Sequence, residues 1–216
     1  MRIFVMADFH GDLLHVDRAG DLIRDADMVV LAGDLSGSGD RGSAESVVEA
    51  VEKYNGNILA VHGNCDGPGV HEMLSERGYS IHSRGVIAGG IGFFGLGGSR
   101  RTPMHTFTEY NEEQIAEFLR LGYSMVEKSG TRVLVSHTPP KKCRDRTFFG
   151  LSAGSPALRE FMESNPFDLC LCGHIHEAYG ADRSCGVLVV NSGSFRKGRY
   201  SSVEIGGGIK VESGRV

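Results

Sequence analysis

Residues Ile3 to His10 read IFVMADFH, an apolar run that stops on Asp8 and His10. Five apolar residues without a polar face are too few for a core helix and suit a strand buried on both sides. Runs of the same kind recur at Met28 to Ala32, Ile58 to Val61, Ile91 to Leu96, Val133 to Val135, Leu169 to Cys172 and Val187 to Val190. Between them lie helical patterns at Leu14 to Arg24, Ala44 to Tyr54, Glu112 to Val126 and Pro156 to Met162. Strands alternating with helices predict an α/β layer fold. Around Tyr79 to Gly98 and Val187 to Val211 strand patterns follow one another across turn glycines, so antiparallel pairs are expected there, in a two-sheet sandwich with helices outside.

Composition narrows the chemistry. A chain of 216 residues with 40% apolar and 23% charged content has enough apolar surface for one sizeable core, and one domain over residues 1–216 is expected. A net charge of −4 gives no general attraction to nucleic acid or anionic lipid. No run approaches the roughly 20 apolar residues of a membrane span, and the N-terminus has no signal-peptide layout, so a cytoplasmic protein is expected. Five cysteines fit reduced thiols better than a disulfide framework. Cys170 and Cys172 share one face of a strand, where two small core residues are expected; C-x-C is not a common zinc spacing.

The ends of the runs carry the functional signal. Asp8 and His10 follow the first, Asp34 the second, Asn64 the third, His137 ends VLVSH, and His174 and His176 end LCLCGHIH. Each alone has an ordinary reading as a helix cap, turn residue or hydrogen-bonded histidine. Together, two carboxylates, an amide oxygen and four imidazoles gather where α/β folds collect ligands, beyond the strand carboxyl ends. This donor set suits first-row divalent ions, and the absence of an obligatory thiolate argues against a structural zinc site.

The ordered set D8-x-H10, G33-D34, G63-N64-x-D66, His137 and G173-H174-x-H176 closely resembles the five motifs of the calcineurin-like metallophosphoesterase superfamily. The resemblance spans residues 8 to 176, about four-fifths of the chain. GGSRRTP, NEEQI, SHTPP and LCLCGHIHEAYG are similar to the small prokaryotic Icc-like phosphoesterases, many of them archaeal. The resemblance implies a four-layer αββα sandwich of two mixed sheets flanked by helices. It also implies two divalent ions: Asp8, His10, Asp34 and His176 on one, Asp34, Asn64, His137 and His174 on the other, with a bridging hydroxide attacking phosphorus. Manganese is expected first; iron, cobalt, nickel or zinc would also suit the donors. Asp34, Asn64 and His137 are accordingly also expected to serve catalysis.

One departure matters. Many superfamily members carry a histidine after the motif asparagine, and this chain has Cys65. A thiol cannot carry a positive charge toward phosphate, so weaker help to the leaving group is expected. Cys65 reads as a small loop residue, with a role as acid or soft ligand left open. Asp66 reads as a loop-stabilising Asx-type residue before Gly67 and Pro68. Arg100 and Arg101, after a glycine-rich strand, are candidates for a phosphate contact or for solvation. His105 is a candidate on a lid, or a surface histidine. His62 is expected to pack in the core, and His15, His71 and His82 to lie on helix or strand surfaces. The run Lys141 to Arg146 reads as a solvated loop that could attract an anion.

The expected activity is hydrolysis of a small phosphate diester, nucleotides included. A phosphomonoesterase or pyrophosphatase of the same fold, or a catalytically weak metal-binding scaffold, are the alternatives. Neither membrane nor nucleic acid is expected as a partner, and the oligomeric state is open, a dimer through the Tyr79 to Phe94 strands included.

Overall fold

Alternate residues of the first strand face two different cores. In the computed structural model, which describes residues 1–216, β1 (Arg2–Met6) sends Ile3 and Val5 into one apolar cluster and Phe4 and Met6 into another. A period of 2 with no polar position is the pattern of a strand covered on both faces. Next to it, β2 (Met28–Ala32) divides in the same way, with Met28 and Val30 inward between the sheets and Val29 and Leu31 outward under helices.

The first sheet has the order β13-β12-β1-β2-β3, where β3 is Ile58–Val61, β12 Arg199–Ile205 and β13 Ile209–Arg215. The β1, β2 and β3 strands run parallel, while β12 and β13 are antiparallel additions. The second sheet is β10-β11-β9-β8-β5-β4: Gly180–Ser184, Val187–Asn191, Leu169–Cys172, Thr131–Ser136, Ile91–Leu96 and Gly85–Ala88. Its four central strands are parallel and its two edge pairs antiparallel; of the antiparallel pairs expected, β4–β5 forms here and β12–β13 in the first sheet, while β10–β11 is additional. Helices α1 (Gly20–Arg24), α2 (Arg41–Glu52) and α3 (Pro68–Glu76) cover the first sheet through Ile23, Val47, Val51, Met73 and Leu74. Helices α4 (Glu112–Ser124) and α5 (Pro156–Ser164) cover the second through Ile115, Leu119, Leu158 and Phe161. These layers make the four-layer αββα sandwich. Each fully buried Leu, Ile, Val or Phe side chain contributes roughly 1.5–3 kcal/mol. Cys170 and Cys172 are fully buried in the core that α4 and α5 cover, as their shared face predicted, and all five cysteines are free.

Local chemistry sets the helix ends. Asn111 and Gln114 form a capping box at α4, Ser155 caps α5 ahead of Pro156, and Asp40 accepts the Ser43 N–H at α2. The helix expected over Leu14 to Arg24 is shorter. Asp12 takes the Leu14 N–H at 2.8 Å as an Asx turn, and the chain winds through turns until Gly20. Helix α3 was not anticipated, although Pro68 at its first turn and Val70, Met73 and Leu74 on one face announce it.

Because β1, β2 and β3 share one direction and β5, β8 and β9 another common direction within their sheet, all six carboxyl ends can open on one rim. Two short strands, β6 (Ser99–Arg100) and β7 (Glu109–Tyr110), close the base of a loop over that rim. It docks through Gly98 N–H to His62 O at 2.8 Å and Thr108 N–H to Asn64 O at 3.0 Å.

Candidate metal centre

Strain is concentrated where the strands end. Asp8, His10, Asp34 and His174 all sit at positive φ, between 49° and 67°, a region that side-chain-bearing residues rarely occupy. Such a residue costs about 1–3 kcal/mol and persists only where its surroundings overdetermine it. Here they do: the Asp8 N–H donates to Gly33 O at 2.9 Å, the His10 N–H to Asp34 O at 2.9 Å, and the Ser194 hydroxyl to Asp8 O at 3.0 Å. The motif glycines permit the close approach. A Cβ on Gly33 would lie 2.5 Å from His137 Nδ1, and one on Gly63 would overlap the Asp34 carboxylate.

The seven strand-end residues meet in one place. Donor atoms of Asp8, His10 and His176 lie within 4.8 Å of one another, as do those of Asp8, Asp34 and His137. Asp34, almost fully buried, faces both sides: its Oδ2 is 3.8 Å from His10 Nε2 and its Oδ1 3.4 Å from His137 Nε2. His176 Nε2 is 3.5 Å from Asp8 Oδ1 and 3.4 Å from His10 Nε2. Asn64 Oδ1 is 2.9 Å from His137 Nε2, and the ring of His174 stands 5.0 Å from that of His137.

The donor set fits cations. His137 Nδ1 is 2.8 Å from Ala32 O and donates to it, so the Nε2 of a neutral ring is a lone pair pointing at the amide oxygen of Asn64. Two acceptors 2.9 Å apart need a proton or a cation between them. The charges agree. Burial works against a charge on His137, but the Asp34 carboxylate outweighs it and lifts the ring to about 9. Burial also opposes ionisation of Asp34, and His137 holds it well below the usual carboxylate range all the same. His174 is pushed down to about 4 by burial and then by His137, so its ring is neutral and free to ligate near pH 7. The chain can therefore hold divalent metal at this rim, where Ala32 O already orients His137 and the Cys65 N–H already orients Asp34.

The calcineurin-like phosphoesterase superfamily domain matches residues 1–209. The chain belongs to that superfamily. A protein of Methanocaldococcus jannaschii, MJ1162, is 31% identical over 202 residues, covering 88% of this chain and 87% of its own. TT1561 of Thermus thermophilus has the same fold, with a TM-score of 0.74, 17% identity and coverage of 99% and 98% of the two chains. A structure described as a novel archaeal phosphodiesterase aligns over 100% of both chains with a TM-score of 0.60 and 17% identity.

Around the centre of this phosphoesterase the structure refines the expectations. Asp66 does more than close its own turn. Fully buried, it accepts the backbone N–H groups of Leu35 and Ser36 as well as that of Gly63. Cys65 is half-buried, and its Sγ lies within 4.8 Å of donor atoms of His10 and Asp34. Burial, then the Asp34 charge, pushes the thiol far above its ordinary range. Arg100 is engaged with Glu112, 3.4 Å from Nε to Oε1, whereas Arg101 is exposed and has no ion pair. His105 is exposed and does not line the cleft, which Thr102, Met104 and Thr106 of the same loop do.

Three histidines depart from the surface reading. His15 is buried, and the rings of His62, His71 and His82 pack tilted or edge to face, with centroids 4.7 to 5.3 Å apart. Burial lowers all three rings, and with His71 beside it brings His82 down to about 3, so the cluster is neutral near pH 7. His62 is itself buried and lies 3.1 Å from the Tyr110 hydroxyl. Within Lys141 to Arg146, Asp145 is buried and Arg144 donates to Tyr179 O and Ala181 O, so only part of that run is solvated.

Sequence reading missed the parts that come from afar. Thr106 Oγ1 accepts the Asn64 amide N–H at 3.0 Å and orients its oxygen toward His137. Thr106 is itself held by Glu109, which also takes the hydroxyl and N–H of Thr102. Burial opposes the charge on Glu109, but these bonds prevail and pull it down to about 2. Arg196 and Lys197, after the last buried strand, join His10 and His176 around a groove of about 580 Å³. Nothing in their local sequence marked them; one signal was their place after the strand end at Asn191.

Proposed function

We propose that this superfamily member is a phosphodiesterase acting on a small, nucleotide-like diester at a two-metal site. Asp8, His10, Asp34 and His176 would hold one ion and Asp34, Asn64, His137 and His174 the other. One observation carries the diester reading: the centre is open on two sides. A cleft of about 600 Å³ begins at Asn64 and His174, and the groove at His10 and His176 leaves the other flank. A phosphorus between the two clusters has room for a substituent in each direction, which a diester needs and a monoester does not.

Two divalent ions, manganese first among the candidates, would supply Lewis acidity and bring the pKa of a bound water down to near 7. The chain's own residues position and select. Asp34 would be shared between the two, and its Oδ1 accepts the Cys65 N–H at 2.8 Å, which orients the carboxylate. Arg101, unpaired at the mouth of the cleft, can take a non-reacting phosphate oxygen with two parallel bonds. The neutral thiol of Cys65 is a poor proton donor near pH 7, which selects substrates whose leaving group departs without a proton. The shared fold of the archaeal phosphodiesterase supports this reading. Pyrophosphate-bond hydrolysis is the second reading, supported by Arg196 and Lys197 in the polar groove, where a further phosphate would be neutralised.

The test uses metal-stripped protein reloaded separately with Mn²⁺, Co²⁺, Ni²⁺, Zn²⁺ or Mg²⁺. Metal-dependent turnover of bis(p-nitrophenyl) phosphate ahead of p-nitrophenyl phosphate, abolished in Asp34→Ala, is expected. A preference for the monoester, or no turnover with two ions bound, would refute it.

A further inference from the structure

We infer that the cleft beside Asn64 and His174 is the seat of an aromatic ring on the substrate, a nucleobase or aryl group, held against Phe148 and Phe149. This rests on the phosphodiesterase reading and says which arm of the diester goes where. The two flanks of the centre differ in chemistry. The groove at His10 and His176 has no apolar side chain in its lining. The cleft at Asn64 and His174 is lined by Phe148, Phe149, Leu151 and Met104, together with Arg101.

These apolar side chains are exposed to an unusual degree: 81% for Phe148, 84% for Phe149, 80% for Met104 and 67% for Leu151. Clustered exposed apolar surface of this kind marks a contact site. The loop that carries it is also bonded at its base and its tip. The loop is pinned at its base by buried Asp145, which accepts the N–H of Lys142 at 2.9 Å and of Gly154 at 3.1 Å. Its tip is closed by Thr147 N–H to Leu151 O at 2.9 Å, Gly150 N–H to Thr147 O at 2.8 Å and the Arg146 guanidinium to Gly150 O at 2.8 Å. The two phenyl rings stand edge to face, centroids 5.5 Å apart and 86° between planes, so each presents a free π-face. A planar ring entering the cleft meets such a face, while its phosphate reaches Arg101 and the metal ligands at the cleft floor. That continuity with Asn64 and His174 argues for a substrate arm over a protein partner or a second copy of the chain.

The experiment is equilibrium binding of adenosine 5′-monophosphate and ribose 5-phosphate to manganese-loaded enzyme, wild type and Phe148→Ala/Phe149→Ala. Both residues are exposed, so the variant should fold. Wild type is expected to prefer the adenine ligand by about tenfold or more, and the double variant by less than about threefold, with ribose 5-phosphate binding unmoved. Equal binding of the two ligands by wild type, or a preference that survives both substitutions, would overturn the inference. Sedimentation of the same samples separates the other occupant: a dimer lost in the variant, without adenine preference, assigns the loop to self-association and also overturns it. Adenine preference without metal-dependent diester turnover would support the aromatic seat and reject the phosphodiesterase reading; turnover without the preference does the reverse.

Discussion

Two residues beyond Asn64, Asp66 grips Ser36, two residues beyond Asp34: its Oδ1 accepts the Ser36 N–H at 2.7 Å and the Ser36 hydroxyl at 2.9 Å. Its other oxygen takes the N–H groups of Leu35 and Gly63. One buried carboxylate therefore sets the separation of the two loops that carry Asp34 and Asn64.

Asp66→Ala is expected to leave three buried backbone donors without partners. At about 1 kcal/mol or more for each such group, stability should fall by about 3 kcal/mol. Thermal unfolding should then drop by roughly 6–12 °C for a chain of this size, and metal content should fall with it. A shift below 2 °C with full metal content would contradict the role given to Asp66.

The pH dependence of metal binding follows from His137. In metal-free protein its ring is raised to about 9, so near pH 7 it holds a proton on the edge that a metal would occupy. Metal must expel that proton, and apparent affinity should rise by up to tenfold per pH unit from 7 to about 9, then level. The same proton stabilises the metal-free fold: the gain is fully present below the ordinary imidazole pKa of about 6.5 and is lost as pH rises through about 9. Calorimetric titrations in buffers of different ionisation enthalpy count the released protons, and a flat affinity between pH 7 and 9 would be incompatible with this account.

Cys65 and Cys185 should react differently. Metal-free protein treated with iodoacetamide at pH 8 is expected to modify exposed Cys185 at least about tenfold faster than Cys65, whose thiol is kept protonated by burial and by Asp34. Peptide mass spectrometry reads both sites. Cys65→Ala should retain aryl diesterase activity within about threefold; a larger loss would give the thiol a direct part in the reaction.

Thr106→Val removes the acceptor that orients the Asn64 amide. Losing such an outer partner should lower metal affinity or activity by roughly 10–100-fold. Thr106→Ser should restore it, because the hydroxyl remains. If Thr106→Val binds metal and turns over normally, the loop over Asn64 has no part in setting its geometry.

The fold and the gathering of candidate ligands at the strand ends were legible in the sequence for a local reason. A short, wholly apolar run such as Ile3 to Ala7 or Met28 to Ala32 suits a strand covered on both faces, so each run declares its own state. The donors that follow each run at once, Asp8, Asp34, Asn64 and His137 among them, inherit their place from it. Helix α1 was overestimated because apolar spacing at Leu14 to Arg24 says nothing of the Asx turn at Asp12, and the surface reading of His71 and His82 failed because each finds its cover on another element.

What the sequence by itself determined is thus the layer order, the rim on which the strands end and the identity of the residues gathered there. Only the tertiary structure decided which way those residues face and what surrounds them. Asn64 is turned by Thr106, 42 residues away, and Asp34 is framed by the Asp66 carboxylate. The aromatic cleft forms where the Phe148 loop comes to stand opposite Arg101, and the polar groove where Arg196 reaches the rim from the far end of the chain. These relationships are made between segments whose local patterns carry no record of one another, because it is long-range packing that brings them together.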